Sequence, residues 1–122
     1  MKYMLLVYLN EQSLSDTERE SCYVESAQLA RELSDKGKYV SAGPLHPVAM
    51  ATSVRVRNGK RLVTDGPFAE TREQLGGYYL IDAQDLDEAM TIAERIPVAK
   101  VGTIEIRPVL EIKGLPNQEG AQ

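Results

Sequence analysis

A chain of 122 residues suits one domain with a core of its own, and 43% hydrophobic with 26% charged residues argues against disorder over the main body. A formal net charge of -4 argues against nucleic acid as a partner, because phosphate binding needs concentrated positive charge. The single cysteine, Cys22, excludes an intrachain disulfide and a thiolate metal cluster.

Met1 to Leu9 is apolar but lacks a small-residue cleavage pattern, and no apolar run approaches the ~20 residues a bilayer span requires, so a cytoplasmic protein without membrane contact is expected. Lys2 to Leu9 mixes Tyr, Leu, Met and Val without clean alternation, the pattern of a central strand covered on both faces. Ser15-Asp-Thr-Glu18 has the form of a capping box and predicts a helix to about Lys36. Tyr23, Ala27, Ala30 and Leu33 would form its buried stripe, with Gly37 as the left-handed cap.

Tyr39 to Ala42 reads as a short strand ended by Gly43-Pro44, and Leu45 to Ala51 as a loop. Thr52–Arg57 and Lys60–Thr64 flank Asn58-Gly59, a strong hairpin signal. Two registers compete: a two-residue loop sets Val56 opposite Arg61, and a three-residue loop sets Val54 opposite Leu62. The second is the expectation. Gly77 to Asp82 is a further strand. Asp85-Leu-Asp-Glu88 opens a second helix with a stripe of Leu86, Ala89, Met90, Ala93 and Ile96, which Pro97 stops. Thr103 to Arg107 alternates, with Ile104 and Ile106 inward and Glu105 and Arg107 outward; Leu110 and Ile112 could extend it. From Gly114 the composition predicts a flexible tail, 114–122, after a domain spanning 1–113.

This order is a repeated split βαβ unit with an added hairpin, a ferredoxin-like α+β fold. Two helices on one face leave the other sheet face bare, and a second copy is the simplest cover, so a homodimer is expected.

Between the hairpin and the next strand lies Thr64-Asp-Gly-Pro-Phe-Ala-Glu-Thr-Arg-Glu-Gln-Leu-Gly-Gly77, which concentrates acids, bends and one aromatic in a shaped loop. Asp65 reads either as an acceptor within its own turn or, if buried beside Phe68, as a general base of raised pKa. The sole histidine, His46, could pair with it as an acid–base couple or stand as a solvated loop residue. Glu70 and Glu73 would share a face in a helical turn, but two carboxylates supply too few ligands for a divalent ion, so no metal and no cofactor is expected. Arg72 or Arg107 could hold a substrate anion. Tyr78 and Tyr79 should point to opposite faces, so at most one lines a cleft.

Asp65-Gly-Pro-Phe-Ala-Glu70 and its continuation to Tyr78 resemble the DGPF-motif proteins of the YCII-related family. Met1-Lys-Tyr-Met-Leu-Leu, Ala51-Thr-Ser-Val-Arg-Val, Asp85-Leu-Asp-Glu-Ala and Glu105-Ile-Arg-Pro108 resemble it too. The resemblance implies a dimeric α/β barrel in mostly bacterial proteins of unassigned activity, some encoded near sigma factors. By fold analogy alone it suggests a cleft for small aromatic or lactone compounds. Two functions are therefore open. One is a cofactor-free lyase or isomerase in which His46 and Asp65 move a proton on a small carbonyl or lactone compound, with Phe68, Glu70, Arg72, Glu73, Tyr78 and Arg107 as binding residues. The other is a non-catalytic small-molecule-binding or regulatory adaptor linked to sigma-factor control.

Overall fold

The computed structural model describes residues 1–116. Six strands and two helices follow one another as β1 (Lys2–Leu9), α1 (Asp16–Asp35), β2 (Tyr39–Pro44), β3 (Thr52–Arg57), β4 (Lys60–Asp65), β5 (Gln74–Asp82), α2 (Leu86–Ala93) and β6 (Thr103–Pro108). Short 3-10 turns occupy Val48–Met50 and Pro97–Lys100. The strands β2-β5-β1-β6 form an antiparallel sheet in that order, and β3-β4 form a separate two-stranded ribbon. Both helices lie against one sheet face, as expected of a ferredoxin-like α+β arrangement with a hairpin inserted between its second and third sheet strands.

The helix boundaries follow from local chemistry. Ser15 Oγ accepts from the Glu18 amide at 3.1 Å, and the Glu18 carboxylate accepts from the Ser15 amide at 2.9 Å, so the capping box is reciprocal. At the other end Gly37 takes φ +73°, and the amides of Lys38 and Gly37 reach back to the carbonyls of Leu33 and Ser34, closing a Schellman motif. Asp85 caps α2 through the Glu88 amide.

The core joins Tyr3, Leu5 and Val7 of β1 to Tyr79 and Ile81 of β5, beneath Leu29 and Leu33 of α1 and Ala89, Ile92 and Ala93 of α2. Ion pairs bind the periphery of this layer: Lys38 meets Glu88 at 2.8 Å, and Arg95 pairs with Glu32 across the two helical segments.

Several expectations need correction. Of the expected stripe of α1, Leu33 is buried and Ala30 packs against the core, whereas Tyr23 is 46% exposed and Ala27 faces solvent; Leu29, not expected, is the other buried residue. In α2, Ile92 is buried while Leu86 and Met90 are exposed, and the helix ends at Ala93 before Pro97 begins the 3-10 turn. The hairpin uses the two-residue loop: Val56 pairs with Arg61, Val54 with Val63, and Asn58 and Gly59 take φ of +52° and +73°. Positive φ at both central residues is the primed turn whose twist suits a hairpin, so no bulge is needed. Within the single chain β1 is not covered on both faces, since Met4, Leu6 and Tyr8 are half-buried between the buried Tyr3, Leu5 and Val7. β5 begins three residues early, at Gln74, and β6 stops at Pro108, after which the Val109 amide donates to the Lys2 carbonyl. Glu70 to Glu73 is not helical. Of the expected tail, residues 117–122 lie outside the described residues.

No helix among the described residues is long and apolar enough to cross a membrane.

Candidate functional site

The face of the sheet away from the helices carries the candidate site. Register alone builds it: one row across the sheet reads Ser41, Leu80, Met4, Arg107, and the next reads Gly43, Tyr78, Leu6, Glu105. Tyr8 then sits beside Thr103. The centre is apolar, through Met4, Leu6 and Leu80, and the β6 border is charged.

Gly43 makes room for Tyr78. A Cβ there would lie 3.3 Å from the Tyr78 ring, and the phenol reaches within 3.4 Å of Ser41 Oγ. Tyr79 points the other way, buried, and donates to the Ser26 carbonyl at 2.8 Å. The two tyrosines thus part as strand alternation requires.

Tyr8 is held protonated. Its pKa is raised first by burial and then by the Glu105 carboxylate, with Arg107 acting weakly in the opposite direction. Arg107 approaches Glu105 only to 3.9 Å, and its side chain is 67% exposed, so its fork is not committed to that acid. Thr103 Oγ1 donates to Glu73 at 2.8 Å, which brings the end of the Asp65–Gly77 loop to the same border.

One end of the sheet is pinned by hydrogen bonds between three segments. The Glu11 amide donates to Gln74 Oε1 at 3.0 Å, and the Glu11 carboxylate accepts from the Val48 amide at 2.9 Å. The Leu45 amide donates to the Gly76 carbonyl at 2.9 Å. Gly77 permits that approach, because a Cβ on it would stand 3.0 Å from the Gly43 carbonyl oxygen. His46 therefore rides a loop anchored on both sides of it.

Of the residues expected from sequence, Glu73, Tyr78 and Arg107 share the open-face side. His46, Phe68, Glu70 and Arg72 are exposed on the loops beyond, Asp65 is exposed at the end of β4, and among the described residues no side-chain hydrogen bond or ion pair joins His46 to Asp65. The burial expected around Asp65 is absent within one chain: Phe68 is 79% exposed. Asp65 closes β4 opposite Thr52, and Gly66 follows at φ +105°, its amide donating to the Ala51 carbonyl.

Tyr8, Glu11, Glu105 and Thr103 were missed as site residues. The outward alternation of Glu105 marked its face, and Tyr8 follows Val7 by the same rule; Glu11 leaves no local signature. Among the described residues no group of three or more His, Cys, Asp or Glu is placed to hold a metal ion.

A groove of about 520 Å3 lies on the helix side instead, lined by Glu18, Cys22, Glu25, Arg95 and Lys100 among others. Burial, with Glu25 and Glu18 beside it, pushes the Cys22 thiol up, opposite to what a nucleophile needs. The open sheet face is the better candidate because it combines an apolar floor with a polar border that Glu73 joins to the loop.

A two-helix, antiparallel α+β chain of this kind has counterparts among known proteins. The model of the YCII-related domain matches residues 1–113, and the chain belongs to that family. An uncharacterized protein of Rhizobium meliloti (strain 1021) is 42% identical over 118 residues, covering 89% of this chain and 92% of that one. A solved structure, the 5-chloro-2-hydroxyhydroquinone dehydrochlorinase of Burkholderia phenoliruptrix AC1100 in complex with 2,5-dihydroxybenzoquinone, matches with a TM-score of 0.57 at 16% identity. That match covers 93% of this chain and 97% of the other. At that identity the likeness concerns the fold alone.

Proposed function

We propose that the protein is a cytoplasmic, cofactor-free lyase or isomerase acting as a homodimer on a small oxygenated ring or carbonyl compound held against the open sheet face. The observation that carries this reading is the Tyr8–Glu105–Arg107 border on an otherwise apolar floor. A flat ring would rest on Met4, Leu6 and Leu80. Arg107 would pair with an anionic oxygen, and the protonated Tyr8 phenol would donate to a carbonyl oxygen. A base then removes a proton from the carbon beside that carbonyl; the electron pair moves onto oxygen, where Arg107 and Tyr8 hold it. His46, on a loop beyond the face, and Asp65, at the end of β4, are the proton carriers in this scheme, and Glu73, Tyr78, Phe68, Glu70 and Arg72 bind around the ring. The dehydrochlorinase fold neighbour, solved with a dihydroxybenzoquinone, supports this substrate class by analogy.

The missing contact between His46 and Asp65 favours a second reading, a regulatory adaptor that binds the same compound without turning it over.

Titration with 2,5-dihydroxybenzoquinone and with carboxylated lactones, followed by calorimetry and by deuterium uptake into the ligand, separates the two. Arg107→Ala is expected to weaken binding about tenfold or more, the worth of one charge-assisted pair. Binding without deuterium uptake selects the adaptor. Unchanged affinity in both Arg107→Ala and Tyr8→Phe removes the open face as the site.

A further inference from the structure

The β3-β4 ribbon and the outer face of α1 are each left uncovered. From Leu45 to Gly76 the chain contributes no residue to the core. The ribbon closes on itself at its base, where Ser53 Oγ donates to the Gly66 carbonyl and the Gly66 amide to the Ala51 carbonyl. A two-stranded hairpin alone in water is marginal. Directly paired residues share a face, so Val54, Val63, Val56 and Arg61 fall on one side. The three valines, in that order, are 60%, 52% and 63% exposed.

On α1, Leu29 and Leu33 face the core. At about 3.6 residues per turn, Glu20, Val24 and Ala27 turn the opposite way, and Tyr23 lies on the flank. All four are exposed, Tyr23 to 46% and Val24 to 56%. In the single chain, then, the ribbon does not cover its own helix.

The two surfaces match in charge and in spacing. Thr52 to Asp65 holds four basic residues and one acid, whereas Asp16 to Asp35 holds six acids and two basic residues. Among the described residues the side chains of Arg61 and Glu20 have no hydrogen bond or ion pair. The Val56–Arg61 pair stands about 6.8 Å along the ribbon from the Val54–Val63 pair. Glu20 stands about 6 Å along the helix from Val24.

We propose that the ribbon of one copy lies along α1 of a second copy. Val54 and Val63 rest on the partner subunit's Val24 and the partner subunit's Tyr23, and Arg61 then falls level with the partner subunit's Glu20. The Glu11 carboxylate, just ahead of α1, accepts from the Val48 amide, just ahead of β3, at 2.9 Å, so the ribbon base and the helix start stand at one end of the molecule. Each copy offers both halves of the contact there, and the exchange closes about a two-fold axis. α1 covers the sheet face opposite Met4, Leu6 and Leu80, so that floor stays open to a ligand. A second copy fits the ribbon better than a polyanion does, because a polyanion leaves the valines exposed.

Mixed samples test it. One copy carries a spin label at Lys60→Cys in a Cys22→Ser background, and the other is 15N-labelled and carries none. Broadening of the Glu20, Tyr23, Val24 and Ala27 amides of the 15N copy is expected. Sharp α1 amides in an associated sample overturn the contact, whichever other amides broaden, and so does a monomer at about 100 micromolar. Charge exchange gives a second reading by sedimentation, with each fold checked by circular dichroism. Arg61→Glu and Glu20→Arg are each expected to raise the dissociation constant about fivefold or more, and the double variant to return towards the parent value. Losses that add in the double variant overturn the contact. So do ribbon amides that respond to a DNA duplex or anionic vesicles and not to dilution.

Discussion

Gly102 immediately precedes β6 and is the tightest joint beside the candidate site. A Cβ built there would stand 2.1 Å from the Tyr8 carbonyl oxygen, 3.0 Å from Val98 Cγ1 and 3.1 Å from Leu9 Cα. Carbon–oxygen contacts settle at roughly 3.3 Å or more, so Gly102→Ala must part β6 from the end of β1 by about 1 Å. Two of the three obstacles are backbone, and no rotamer change relieves them. Overpacking of this kind costs about 1–3 kcal/mol, and the upper half of that range fits a clash on main-chain atoms. In a domain of this length that lowers Tm by roughly 6–15 °C. The shift also pulls Thr103 from Glu73 and Tyr8 from its place beside Thr103. Thermal unfolding followed by circular dichroism reads the first effect, and the Thr103 and Tyr8 amide shifts read the second. Gly37→Ala is the control: its Cβ meets nothing within 4 Å, so only its φ of +73° is penalised, at about 1–2 kcal/mol. A Gly102→Ala protein melting within about 2 °C of the parent would refute the close packing of β6 on β1.

The Tyr79→Phe variant loses the hydrogen bond to the Ser26 carbonyl and is expected to cost about 1 kcal/mol, measured by denaturant titration. Glu88 is held below the usual glutamate range by Lys38 and the Gln84 amide, and Glu32 by Arg95. Because their folded pKa values are depressed, both contribute stability that is present above the unfolded glutamate pKa and lost as pH falls through the folded values. Melting temperature should therefore fall below about pH 4.5, and Glu88→Gln should flatten that slope, with Glu32→Gln acting independently; equal slopes in all three proteins would contradict the pairing.

How much of this was legible depended on whether the signal was local. Ser15 with Glu18 and Asp85 with Glu88 announced both helix starts, because a cap is a contact between near neighbours. Asn58-Gly59 announced the hairpin but not its register, since the same pair suits a primed two-residue turn and a bulged three-residue loop. Helix faces were read in part: Ala30, Leu33, Ala89, Ala93 and Ile96 pack on the core as expected, whereas Tyr23, Leu86 and Met90 are exposed, because a period fixes the spacing of a stripe and not its edges. At the site, alternation placed Arg107 and Glu105 on the outward side and parted Tyr78 from Tyr79. The Glu11 bridge to Val48 and Gln74 joins residues 37 and 63 positions away, and no local pattern reports it.

The two sheet faces explain why the chain spends so many residues outside its core. Tyr3, Leu5 and Val7 satisfy the helices, so their alternates Met4, Leu6 and Tyr8 are left half-covered by geometry and not by composition. Covering those alternates with a third helix would fill the face and abolish the border made by Tyr8, Glu105 and Arg107. Between β2 and β5 the chain leaves and re-enters at the pinned end of the sheet, where the Leu45 amide donates to the Gly76 carbonyl and the Glu11 carboxylate accepts from the Val48 amide.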